Sequence, residues 1–221
     1  MNEQDILENK ELFISLISSI GREGADIEGL LKKLENSDFY VAPASATHHN
    51  SFPGGLCAHS LNVYNMLVSL LNVVYPPMIS EEDGESVSTC PYSEDTVKIV
   101  SLLHDFDKMN KYERTVQNKK VYSDSGSKHD EMGRFDWVAV PGFKRRDAKD
   151  RFIFGTHGEN SLFMVETFFP LSVEERAAIL NHHSVYDNPK LDLSVYDRYP
   201  LSCLLHLADM MSTYLLERTH E

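Results

Sequence analysis

The sequence is poor in cysteine, in tryptophan and in long apolar runs. Its 221 residues include three cysteines and one tryptophan. Cys57, Cys90 and Cys203 are too scattered for a disulfide framework or a CxxC metal knuckle, which predicts reduced thiols in a cytoplasmic protein. No uninterrupted apolar stretch reaches the roughly 18–20 residues of a bilayer span, so no membrane partner is expected. The first residues are acidic where a secretory signal would be basic. A formal charge of −13 argues against duplex binding by the whole surface. No internal repeat is present, and no base-stacking array of the RRM or OB kind is legible.

What is there is enough apolar matter, 42% of residues, to bury a core. At 25.2 kDa the chain fits a single domain over residues 1–221, with N-terminal helices in 1–37 and a basic, β-containing insertion at 110–155. The charge is uneven: residues 108–151 carry twelve Lys or Arg against seven Asp or Glu, on an otherwise acidic chain. Such clustering reads either as a solvated loop or as a cationic rim for an anionic substrate.

Apolar spacing predicts helices from about Gln4 to Ile20, Ile27 to Glu35, Gly55 to Val74, Glu94 to Phe106 and Asn160 to Phe169. Another opens at Ser172 with a capping box to Glu175, and the last runs from Pro200 to about Glu217. Phe39–Asn50 reads as irregular and Ile79–Ser93 as an exposed loop. A short hairpin is expected around Gln117-Asn118-Lys119-Lys120, with a brief edge strand at Trp137–Val140. The expected class is therefore all-α, a helical bundle with a small β-hairpin insertion.

Polar residues on apolar helix faces carry the chemistry. His59 shares a face with Val63, Leu67 and Leu70; His104 follows Val97 and Val100 at helical spacing; Asp209 follows Leu201 and Leu205. A buried carboxylate needs a cation or donors. One inward histidine is ordinary core, but four such residues on three helices suit a divalent transition metal.

The ordered set His59, His104-Asp105, Asp209 resembles the H…HD…D signature of the HD superfamily of metal-dependent phosphohydrolases. The lead-in Asp38–Ser45, His49, then Gly54-Gly55-Leu56-Cys57-Ala58-His59 is similar to HD proteins of Gram-positive bacteria and their phages. It is also similar to the HD domain of YhaM-type 3′–5′ exoribonucleases. His104-Asp105-Phe106-Asp107-Lys108 resembles an HDxxK variant, Gly155–Ser161 a GHGEKS segment, and Leu205–Asp209 a closing LHxAD. The resemblance spans about residues 38–212.

It implies a helical bundle around a metal centre and one ion on His59, His104, Asp105 and Asp209. A second ion would use His157 and His182, with Asp105 bridging and His183 as the alternative to His182. The ions would be Mn, Fe, Ni, Zn or Mg. Asp105 and Lys108 are the expected catalytic residues. Lys108, His49, Glu159, Arg114 and Arg145 are the expected substrate contacts, with Lys144, Arg146 and Arg151 as further distant cations. Lys108 reads alternatively as a solvent-facing cation at a helix end. The chain departs from the pattern at Asn160, Ala58 and Asn181, none of them a proposed ligand. His48, His129, His206 and His220 have no assigned role, His206 reading as a core residue.

The implied reaction is hydrolysis of a phosphoester by metal-activated water, on a small phosphorylated substrate, a nucleotide or short nucleic acid. The alternatives are a di-iron oxygenase of the HD type and a nucleotide-sensing module with little turnover.

Overall fold

Helix α3 (Gly55–Val74) runs through the core. Its start is fixed by a glycine pair. Gly54 adopts φ 83°, and a Cβ on Gly55 would lie 2.1 Å from the Asn50 carbonyl oxygen. Only residues without a side chain let the preceding irregular segment fold this closely over the helix N-terminus. The computed structural model describes residues 1–79, 86–186 and 188–217; His220 and residues 80–85 of the expected 79–93 loop lie outside them.

Helix α1 (Glu3–Ser18) packs on α3, and α2 (Ile27–Glu35) packs on α1. A two-residue ladder, β1 (Met78–Ile79) with β2 (Ser86–Val87), precedes α4 (Glu94–Leu103), which lies against α3. After the insertion come α5 (His157–Glu166), α6 (Val173–Asn181), α7 (Ser194–Arg198) and α8 (Pro200–Met211). Thr156 and Ser172 cap α5 and α6 with reciprocal Glu159 and Glu175 boxes, and Ser93 caps α4. In the core Phe39 stands tilted at 55° against Phe13 and edge-on to Phe106, all three fully buried.

By length and mean composition α3 is long and apolar enough to cross a bilayer, although His59, Ser60 and three asparagines interrupt its apolar run. Here it is a core helix, packed between α1, α4 and α8, with His59 and Ser60 fully buried.

The all-α expectation is wrong. About half of the chain is helical and 15% is strand, a mixed α/β composition. The reason is the length of the insertion's strands. β3 (Tyr112–Tyr122) pairs antiparallel with β5 (Gly133–Arg145) over eleven positions, and β4 (Lys128–Asp130) pairs with the start of β5, giving the order β3-β5-β4. Gln117–Lys120, expected as the turn, lies inside β3, because it pairs residue for residue with Trp137–Val140 of β5. The segment Ser123–Ser127 carries the chain from β3 to β4 without reversing it, since both strands run antiparallel to β5; the reversal is at Glu131-Met132, where Met132 N–H donates to Asp130 Oδ1 at 3.0 Å. Trp137–Val140 is part of the long β5 rather than a brief edge strand.

Candidate metal centre

Five helices, and the turn that follows α4, bring side chains to one buried point. His59 comes from the first turns of α3. His104 and His182 are the C-cap residues of α4 and α6. A helix C-terminus leaves carbonyls without partners. The Nδ1 of His104 meets Ser101 O and that of His182 meets Ile179 O, both at 2.7 Å and both one turn back. Donation from Nδ1–H leaves each Nε2 as a lone pair directed away from its helix. Asp105 follows His104, and Asp209 is on α8. His157, the first residue of α5, is brought in by Gly158. A Cβ at Gly158 would stand 2.1 Å from Leu180 O of α6.

Distances define two overlapping groups. His59 Nε2 is 3.2 Å from His104 Nε2, 3.3 Å from Asp105 Oδ2 and 3.2 Å from Asp209 Oδ1, and His104 Nε2 is 3.5 Å from Asp105 Oδ2. Donor atoms about 2.1 Å from an ion lie roughly 3.0 Å apart at octahedral and about 3.4 Å apart at tetrahedral angles. The edges match that range. The other oxygen, Asp105 Oδ1, is 2.6 Å from His157 Nε2 and 3.5 Å from His182 Nε2. His183 joins the second group, its Nε2 3.7 Å from Asp209 Oδ2.

The donor set fits a metal ion: the imidazoles direct Nε2 at carboxylates, and the fully buried His182 Nε2 has no hydrogen-bond partner. These buried His, Asp and Glu clusters can bind a metal ion.

Two further carboxylates hold the imidazoles from behind. Glu217 Oε2 and Oε1 lie 3.0 and 3.1 Å from His59 Nδ1, and Asn62 donates to Glu217 at 2.8 Å. Asp107 meets His157 Nδ1 and accepts from Lys111 Nζ at 2.9 Å. Both residues escaped the sequence reading. Asp107 stands two after Asp105 and could have been suspected; Glu217 depends on a π-helical turn at Ser212–Leu216.

Electrostatics follow from burial and neighbours. Burial pushes His104 down to about 3, so its imidazole is neutral, the ligating form. Burial opposes charge on His59 and His157, but Glu217 and Asp107 respectively lead the carboxylates that outweigh it, holding both pKa values above the imidazole range. Burial raises Asp105 and Asp209, yet Lys108 and His59 respectively lead the cations that hold them well below the carboxylate range. Lys108 is buried with Nζ 2.6 Å from Asp105 Oδ2, which rules out the solvent-facing reading.

A cavity of about 800 Å³ opens beside the cluster, lined by His49, His183, Asp209 and Glu217 and by Gln117 and Lys119 of β3. His49 packs against His59 at 4.8 Å between centroids with the rings tilted by 47°, and burial lowers its pKa to about 3, with Lys108 adding to the effect. His206 lines the same cavity and its Nδ1 meets His182 O at 2.6 Å, so it is more than core filling.

The remaining expected contacts lie elsewhere. Glu159 closes the α5 capping box, accepting from Thr156 N at 2.7 Å. Arg114 and Arg145 are exposed on the sheet, outside the cavity wall. Lys144 pairs with Glu113 and Arg146 approaches Asp38. Comparison with family models, curated proteins and solved structures finds no match.

Proposed function

We propose that the chain is a metal-dependent phosphohydrolase of the HD kind, cleaving a phosphoester of a nucleotide or short nucleic acid. The observation that carries the reading is the division at Asp105, whose Oδ2 faces His59 and His104 while Oδ1 faces His157 and His182. A carboxylate used from both sides suits two divalent ions about 3.5–4 Å apart. His59, His104, Asp105 and Asp209 would hold one; Asp105, His157 and His182, with His183 beside them, would hold the other. Imidazole with carboxylate favours Mn, Fe, Ni or Zn.

When bound, such ions bring the pKa of water toward neutrality and neutralise charge on the attacking and leaving oxygens. The chain's own residues do the rest. The Nδ1 contacts fix each imidazole before any ion arrives, so little reorganisation is needed. Lys108 keeps a buried positive charge against Asp105, available to the non-bridging oxygens of a phosphoryl group. Lys119 adds a cation to the cavity wall. A buried lysine beside the carboxylates favours phosphate chemistry over oxidation of a small organic substrate.

The test is release of phosphate or nucleoside from nucleotides and short oligonucleotides with added Mn²⁺. Wild type is expected to turn over, and the double variant His104→Ala/Asp105→Ala to fall to background. Equal activity in both would contradict the reading.

A further inference from the structure

Register places on one face of the insertion what the linear sequence scatters. β3 and β5 oppose each other from Tyr112↔Arg145 to Tyr122↔Phe135. Since side chains alternate, the even-numbered positions of β3 share a face with the odd-numbered positions of β5. That face carries Arg114, Lys120 and Arg145, and neither strand contributes a carboxylate to it. Glu113 and Asp136 fall on the opposite face. The opposite face carries as many cations, Lys119, Arg134 and Lys144, but holds both carboxylates with them.

Rings accompany the cations. Trp137 is 49% and Tyr122 40% exposed, although both are large apolar side chains. Phe135, itself buried, stands edge-on to Trp137 at 6.0 Å and 87°, which props the indole upright on the sheet. Lys120 Nζ lies 5.7 Å from the indole centroid and is neutralised by Asp130 of β4 at 2.6 Å. Arg114 and Arg145 are exposed and form no salt bridge among the described residues. Tyr112, four residues after Lys108, begins the face. Ten residue steps from there to Tyr122 extend about 34 Å.

We infer that this face of β3 and β5 is a docking surface for single-stranded nucleic acid. Guanidinium groups meet backbone phosphates, while exposed rings accept unstacked bases, and both requirements are met on one pleated surface. A duplex hides the faces of its bases from such rings. An acidic peptide would engage the arginines and leave the indole unused. The inference goes beyond the hydrolytic reading and is tested without turnover, so either can fail alone.

The lone tryptophan makes the test direct, because all indole fluorescence comes from the proposed surface. Chelator-treated protein is titrated with 12-nucleotide single-stranded RNA, the matching DNA, and a 12-base-pair duplex. Saturable quenching by either single strand is expected, with the duplex at least about tenfold weaker and affinity falling as salt rises. By anisotropy of a labelled strand, Trp137→Ala and the double variant Arg114→Ala/Arg145→Ala should each weaken binding about tenfold. Circular dichroism of each variant verifies that the insertion is folded. Absence of saturable binding by both single strands, equal affinity for duplex, or wild-type affinity in both folded variants would overturn the inference.

Discussion

The carboxylate of Glu217 closes on Nδ1 of His59 at 3.0 and 3.1 Å, across 158 positions of sequence. It fixes the ring so that Nε2 faces Asp105 and Asp209. Glu217→Gln keeps the shape and loses the charge. Metal affinity, measured by competition with a calibrated chelator, should fall about 10- to 100-fold. Unchanged affinity would mean that the contact does not orient the ligand.

How much of this was legible differs by element. His59, His104 and Asp209 could be found because three amphipathic helices each carry a polar interruption on an apolar face, and Asp105 because it directly follows His104. His182 and His183 could not be separated, since an adjacent pair at a helix end has no distinguishing periodicity; the fold brings both to the cluster. Glu217 was hidden by geometry. At 100° per residue it stands about 80° out of phase with Asp209, and the π turn absorbs one residue, reducing the offset to about 20°. The sheet is longer than the sequence predicts, because the polar stretch Gln117–Lys120 reads as a turn. It is strand, held by its pairing with Trp137–Val140 across the ladder rather than by a pattern in its own residues.

Lys108 and Lys119 differ in depth, and their loss should differ in kinetics. Lys108→Ala removes the buried charge beside Asp105 and should lower kcat about a hundredfold with metal retained. Lys119→Ala, on the cavity wall, should mainly raise KM. Steady-state kinetics with parallel metal analysis checks both.

Gly158→Ala probes the approach of α5 to α6. Its Cβ would press on Leu180 O, and relief requires the helices to part, carrying His157 away from His182. The variant should remain folded, lose about 1–3 kcal/mol of stability, and bind metal more weakly than a control such as Leu207→Ala on the exposed side of α8. Calorimetry with chelator competition would show it; full metal affinity would contradict the assigned role.

Away from the site, Glu175 joins α6 to the N-terminal segment through Arg22 at 2.6 Å and to α4 through Thr96 at 2.8 Å. Burial opposes its charge, but Arg22, Ser172 and Thr96 outweigh it and lower its pKa below 4.5. A lowered folded-state pKa stabilises above the unfolded value and is lost as pH falls through the folded one. Arg22→Ala should therefore cost about 3 kcal/mol near neutrality. The gap from wild type should narrow as pH drops below 4.5, where the unfolded carboxylate first takes its proton. Urea unfolding at several pH values measures this.

The central claim is that imidazoles and carboxylates from separate helices form one metal-binding centre divided by Asp105. Elemental analysis of protein purified without chelators and reconstituted with Mn²⁺ tests it most directly. The account predicts close to two ions per chain in wild type and close to none in His104→Ala/Asp105→Ala. Wild-type protein that takes up no transition metal, or a double variant that retains the full content, would contradict it.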